Sequence, residues 1–408
     1  MPCRPPPATD SDGHRRSDRQ PGKRRPRQPA WTSHGDGGRM KLAIASGKGG
    51  TGKTTVAVNL AALLAARGHQ VTLADCDVEE PNAHLFLPVE WKTREQCTLP
   101  VPKVNETLCL GAACRRCVDA CRFKALAFMG DAVLDFPDLC HGCGLCALVC
   151  PTGAMTYATR LVGEVRGGIA RIRPAMGASA DRVNMADRTG RPDRAPDLPA
   201  TAPVLRFRDG VLRIGEAMAT PLIKAVKDMP PPAVPPGAPS AQGPCAFVIR
   251  DCPPGVACAA INAVHDADLL LLVAEPSPFG LHDLRLAVGL ARHLRLSHAV
   301  VLNRAGMGLP SAPSSAEAAG IPAGDPVQDW TAREGVPLLG VIPFSRAAAE
   351  CGATGSLVHD AAPEVRAAYA GLADALENLA RVAKPVTAPM VTDDPAATTS
   401  AKERTCDR

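Results

Sequence analysis

Eight of the chain's 16 cysteines fall between residues 109 and 150, and their spacing is regular enough to do chemistry. Cys140-x2-Cys143-x2-Cys146-x3-Cys150-Pro151 lets thiolates wrap an iron–sulfur cubane from one tight turn, while the fourth cysteine crosses to a neighbouring cluster. A second run, Cys109-x4-Cys114-x2-Cys117-x3-Cys121, repeats it with two more residues in the first gap and Arg122 in place of the proline. The repetition predicts two [4Fe–4S] clusters, one on Cys109, Cys114, Cys117 and Cys150, the other on Cys140, Cys143, Cys146 and Cys121. Structural zinc is the competing chemistry, but zinc sites use two CxxC pairs or Cys/His sets. The wider first gap leaves a [3Fe–4S] form open for the first cluster.

Upstream, Gly47-Lys48-Gly49-Gly50-Thr51-Gly52-Lys53-Thr54 matches G-x-x-x-x-G-K-[ST] in full, with Thr55 next in the helix that follows. Glycines there let backbone N–H groups converge on phosphate oxygens, and the helix N-terminus adds its positive dipole end. Lys53 would reach the terminal phosphates of ATP, and Thr54 would hold Mg²⁺. Two acids in VTLADCD, Asp75 and Asp77, could orient attacking water or respond to the γ-phosphate, and Asp251 ends a second apolar run as a further Mg²⁺ carboxylate.

These residues need a frame. KLAIAS (41–46), VTLADCD (71–77), AFVIRD (246–251), LLLLVA (269–274), AVVLN (299–303) and PLLGVI (337–342) read as buried strands. Helical patterns separate them, among them TTVAVNLAALLAARG (54–68) and LHDLRLAVGLARHLRL (281–296). The expected fold is α/β: a doubly wound, mostly parallel P-loop sheet whose ligands sit outside the strands' carboxyl ends, with a small α+β insert carrying the cysteines.

GKGGTGKT with its early Lys48 resembles the deviant P-loop of the MinD, ParA and nitrogenase iron-protein superfamily. The resemblance implies that Lys48 crosses to a partner's nucleotide in an ATP-sandwich homodimer, and that Asn303 and Arg304 read the adenine ring. Gly306 stands where the superfamily has an acid. DCDVEEPNAHLFL (75–87), the cysteine insert, DGVLRIGEAMATPLIKAVK (209–227), DCPPGVAC (251–258) and VAEPSPFGLHDLRLAV (273–288) occur in one order. Together they look like MinD-superfamily ATPases carrying an inserted ferredoxin domain. The implied organisation is ATPase over 40–96 and 166–384, with a ferredoxin-like insert over 97–165. Flexible loops are expected at 177–203 and 230–244, and a polar tail from 385. The implied function is an ATP-hydrolysing iron–sulfur protein coupling nucleotide state to electron transfer or metallocluster handling with a partner protein. A cluster-assembly carrier and a non-catalytic ATP-binding adaptor are the alternatives.

Composition narrows the partners. The net charge of +5 resides in residues 1–39, which hold nine Lys/Arg and four Asp, leaving 37 of each sign elsewhere. A neutral body argues against a nucleic-acid footprint. The Pro/Arg-rich leading segment reads as disordered, and Met40 is the expected start. It has no apolar signal core, so the cysteines are expected in a reducing cytoplasm rather than in disulfides. No apolar run or tail amphipathic helix suggests a membrane. Cys258 lies seven residues after Asp251, where nitrogenase iron protein places a dimer-bridging ligand, but no second ligand matches it. Cys76, Cys97, Cys245, Cys252 and Cys351 read as core or loop residues.

Overall fold

A computed structural model describes residues 39–172, 202–234, 245–307 and 325–382. The expected tail from 385, residues 1–38 of the one expected over 1–39, and most of the two expected loops lie outside the described residues; Arg39 instead opens the first strand, and 202–203 and 230–234 carry neither helix nor strand.

In chain order, β1 (Arg39–Ala45), α1 (Lys53–Ala66) and β2 (Gln70–Asp75) come first, followed by a single-turn helix at Ala83–Phe86. Next come β3 (Val89–Val104), α2 (Arg116–Ala120), β4 (Leu126–Met129), β5 (Ala132–Asp135), α3 (Leu145–Leu148) and β6 (Met155–Arg171). The remainder is β7 (Val204–Leu212), α4 (Thr220–Asp228), β8 (Ala246–Asp251), α5 (Cys258–Val264), β9 (Leu269–Ala274), α6 (Pro278–His293), β10 (His298–Ala305), α7 (Pro326–Glu334), β11 (Leu338–Pro343), α8 (Arg346–Ala353) and α9 (Pro363–Val382).

Nine strands form one sheet in the order β11-β10-β9-β1-β8-β2-β7-β6-β3. Strands β11 to β7 run parallel, while β6 and β3 are antiparallel additions at one edge. The central parallel strands are largely apolar on both faces because helices cover both. In β9, Leu269, Leu271 and Val273 face a core shared with α1 and α9, and Leu270, Leu272 and Ala274 face one shared with α4 to α7. The expectation of a mostly parallel, doubly wound sheet agrees with this. β7 was not anticipated as a strand: its alternating Arg206, Arg208 and Asp209 break the apolar run that marks its neighbours.

The edge strands build an arm. β6 pairs with β7 only from Gly163 to Arg171, whereas its pairing with β3 continues to Val104↔Met155. Residues 98–104 and 155–162 therefore leave the sheet as a two-stranded ribbon carrying segment 105–154 at its tip. The β3–β6 register shifts between Cys97 and Thr98, where the ribbon departs and Val162 is left over as a bulge. Residue 97, the expected start of the insert, sits at that bulge; residue 165 lies in the sheet-bound half of β6.

Candidate functional site

The phosphate loop joins β1 to α1 at the sheet's carboxyl edge. Gly50 and Gly52 adopt left-handed φ of 81° and 90°, and Lys53 opens α1. A Cβ at Gly52 would run into the Asn303 side-chain amide, which donates from Nδ2 to the Thr51 carbonyl at 2.8 Å. Asn303, expected at the adenine ring, thus buttresses the loop from the end of β10. Arg304, in left-handed conformation at φ 57°, extends its guanidinium to 3.6 Å from Glu275.

Asp75 and Asp77, two residues apart, take different roles. Asp75 is wholly buried, and its oxygens accept N–H groups of Asp77 (3.1 Å), Asn82 and Ala83 (both 3.0 Å). It pins the segment that follows β2. Burial, aided by Asp251, holds its carboxyl well above the usual range. Asp77 is half-buried with its carboxyl pushed up to about 6 by desolvation, an effect that Lys53 partly offsets.

Asp251, at the end of β8, is fully buried, and neither carboxylate oxygen has a hydrogen-bond partner among the described residues. Desolvation pushes its carboxyl up, while the nearby Thr54 hydroxyl and Lys53 ammonium pull the other way. An orphaned buried carboxylate beside a threonine hydroxyl is a donor set that fits Mg²⁺. Thr51 Oγ1 is likewise buried and unpartnered.

Lys48 does not hang free. Its Nζ lies 2.7 Å from Glu275 Oε1 at the end of β9, and the ammonium holds the Glu275 carboxyl below its ordinary range. Sequence reasoning missed Glu275. Its signal was positional, because it ends a buried parallel strand at the same edge as Asp75, Asp251 and Asn303.

At the arm's tip, the two cysteine runs fold alike. Cys109 and Cys140 each accept at Sγ the N–H of a left-handed glycine two residues on: Gly111 at 3.4 Å and Gly142 at 3.3 Å. Arg115 and Gly144, each one residue after the second cysteine of its run, are left-handed and open α2 and α3. Lys124 and Gly153, three residues after the last cysteine of each run, are left-handed too. The two extra residues of the first run are absorbed between Gly111 and Cys114, in a single 3-10 turn.

Two pockets separate the sulfurs. One is lined by Cys121, Cys140, Cys143 and Cys146 with Phe123, His141 and Tyr157. The other is lined by Cys109, Cys114, Cys117 and Cys150 with Phe128 and Met155. In each, three cysteines come from one run and one from the other. Among the described residues, no group of three or more His, Cys, Asp or Glu stands close enough to hold a metal ion as placed. The cysteines surround two spaces with apolar walls, and two backbone N–H groups point at sulfur, a donor set of a kind that fits iron–sulfur clusters.

Cys76, Cys245 and Cys252 are buried, and Cys258 begins α5 at the surface. No described helix is long and apolar enough to cross a membrane.

A family model described as the CobQ/CobB/MinD/ParA nucleotide binding domain matches residues 42–358. Two uncharacterized proteins of Methanocaldococcus jannaschii are similar: one is 24% identical over 66% of this chain and 81% of its own length, the other 28% over 66% and 79%. An iron-sulfur cluster carrier protein of Pyrococcus abyssi is 52% identical over 52 residues, 13% of this chain and 18% of that protein. Among solved structures, the cell division ATPase MinD of Pyrococcus furiosus is 21% identical, covering 83% of this chain and 99% of its own with a TM-score of 0.41. The chain belongs to the CobQ/CobB/MinD/ParA nucleotide-binding family.

Proposed function

We propose that the chain is an ATP-hydrolysing homodimer that carries two [4Fe–4S] clusters on its arm and couples nucleotide state to electron transfer, or to metallocluster handling, with a partner protein. The observation that carries this reading is the sorting of eight cysteines into two pockets with crossed fourth members, on strands rooted in the sheet that holds the phosphate loop.

The residues divide the work. Backbone N–H groups of 47–54 and the N-terminus of α1 receive the phosphates, and Lys53 neutralises the terminal ones. Thr54 and Asp251 would hold Mg²⁺, which would neutralise negative charge on the nucleotide's phosphates. Asp77, close enough to Lys53 to feel its charge, would accept a hydrogen bond from the attacking water, and its segment is held by Asp75. Cys121, Cys140, Cys143 and Cys146 would hold one cluster and Cys109, Cys114, Cys117 and Cys150 the other; the clusters supply one-electron chemistry.

Protein purified without oxygen should contain about eight iron atoms and matching acid-labile sulfide per chain, and should hydrolyse ATP only with Mg²⁺. Zinc without sulfide would overturn the cluster assignment. Similarity to an iron-sulfur cluster carrier protein favours a second reading, in which the clusters are cargo. Clusters retained through many ATP turnovers support electron transfer; passage to an apo-acceptor supports the carrier.

A further inference from the structure

The arm is tied back to the sheet at one buried point. Arg160 on β6 is 8% exposed, and the side chain of Glu216, in the loop after β7, is wholly buried. Arg160 Nη1 donates to Glu216 Oε1 at 3.0 Å and Oε2 at 2.7 Å, and its Nη2 donates to the Cys140 backbone carbonyl at 3.2 Å. Glu216 Oε1 also accepts the Met218 N–H at 3.0 Å, which fixes the carboxylate within its own loop. Arg160 and Arg213 both approach Asp138, two residues before Cys140, at 3.8 and 3.7 Å. A buried ion pair is weak evidence for stability, since an apolar pair of equal size often does as well. What the planar guanidinium adds is direction: Nη1 holds the Glu216 carboxylate while Nη2 holds the Cys140 carbonyl, so two backbone segments are kept in one discrete arrangement.

The strand end from which that loop springs touches the nucleotide segment. Leu212 donates its N–H to the carbonyl of Val78, the residue after Asp77, at 3.0 Å. Arg213 donates its N–H to the carbonyl of Val162, the bulge residue where the arm leaves the sheet, at 2.9 Å. The five-residue stretch 212–216, the end of β7 and the turn after it, therefore joins the Asp77 segment, the base of the arm and, through Arg160, a cysteine of one pocket.

We propose that Arg160 and Glu216 are positioning residues that relay movement of the Asp77 segment to Cys140, so that nucleotide state is felt by the cluster of Cys121, Cys140, Cys143 and Cys146 and not by the other. This rests on the proposed function and names the regulation within it. Gain or loss of the γ-phosphate beside Asp77 shifts Val78, the stretch 212–216 follows, and the guanidinium carries the shift to the Cys140 carbonyl. The pocket of Cys109, Cys114, Cys117 and Cys150 lies beyond this tie. The molecule thus contains its own control.

The test is a redox titration followed by electron paramagnetic resonance on anaerobic full-length protein with ADP or a non-hydrolysable ATP analogue. In the native chain, one of two cluster signals should change midpoint potential with nucleotide, and Cys143→Ser should remove the signal that shifts. In Glu216→Gln and Arg160→Lys, both signals should persist with the shift lost. Lysine keeps the charge but lacks the fork, so it carries the test if Glu216→Gln does not fold. Coupling is reciprocal. Analogue affinity should therefore differ between native protein with its clusters oxidised and reduced by roughly fivefold or more, and this difference should collapse in both variants. A shift that survives in both variants, or one borne equally by both clusters, overturns the relay and leaves the proposed function standing. No shift in the native chain overturns the relay together with nucleotide coupling, whereas absence of iron and sulfide refutes the cluster reading itself.

Discussion

Lys48 Nζ lies 2.7 Å from Glu275 Oε1 within one chain, so the lysine expected to serve a partner's nucleotide is held in cis. Glu275 also accepts from Ser277 Oγ at 3.2 Å and faces Arg304 at 3.6 Å. The lysine is about one-third exposed, where such pairs contribute roughly 0–1 kcal/mol. The tie is weak enough to exchange for a phosphate and strong enough to bias the monomer. Glu275→Gln should therefore tighten ATP-dependent dimerisation by up to about fivefold at low salt, measured by sedimentation with an ATP analogue. Lys48→Ala should keep ATP binding while losing dimerisation and turnover, and Lys53→Ala should lose binding. Normal turnover and tight ATP-dependent dimers in Lys48→Ala would remove the sandwich-dimer reading.

The pockets make a prediction that spacing alone leaves weaker. Cys121 belongs to the first run but lines the pocket of the second, and Cys150 does the reverse. Cys121→Ser should deplete the cluster that Cys143→Ser depletes, and Cys150→Ser the one that Cys114→Ser depletes. Iron should fall from about eight to about four per chain in each case. Paired spectra that group by run instead of by pocket would show the ligand sets uncrossed.

Asp251 has a buried carboxylate with no hydrogen-bond partner among the described residues. An unsatisfied buried group costs on the order of 1–3 kcal/mol, more when charged. Asp251→Asn should therefore raise the melting temperature of nucleotide-free protein while weakening Mg²⁺-dependent ATP binding and turnover. A calorimetric scan with and without Mg²⁺-nucleotide checks both. A variant less stable than native without ligand would mean that the carboxylate already has a structural partner.

How much of this was legible in the sequence follows from how local each signal is. The phosphate loop and the 140–150 run are contiguous, with residue types fixed by backbone conformation, and both could be read directly. Strand β9, six apolar residues buried on both faces, was equally plain. β7 was not, since Arg206, Arg208 and Asp209 carry charge into a strand whose partners are set only by the tertiary fold. Asp75 and Asp77 look equivalent in VTLADCD, yet successive turns of the chain give them opposite surroundings. Glu275 and the Arg160–Glu216 tie join residues 227 and 56 positions apart, a separation no spacing rule reaches.

The last prediction concerns pH. Asp77 titrates near 6 in the folded, nucleotide-free protein because burial disfavours its charge, whereas an unfolded aspartate titrates near about 4. As pH rises between these values, the unfolded chain releases its proton while the folded one retains it, so this group lowers stability across that window. Asp251, buried and also shifted upward, acts with the same sign. Asp266 acts oppositely: Arg250 and Lys227 hold its carboxyl well below the usual range despite burial, so its contribution appears above the unfolded value. The native profile is therefore a sum, and the informative quantity is a difference. Asp77→Asn should gain melting temperature over native protein as pH climbs from about 4 to about 6, with the gain level above that. Where Mg²⁺ and nucleotide supply counter-charge, the difference should shrink or reverse. A difference that stays flat from pH 4 to 7 without nucleotide would mean that Asp77 is solvated and already ionised, and that its segment is not held in the half-buried position from which it would sense the γ-phosphate.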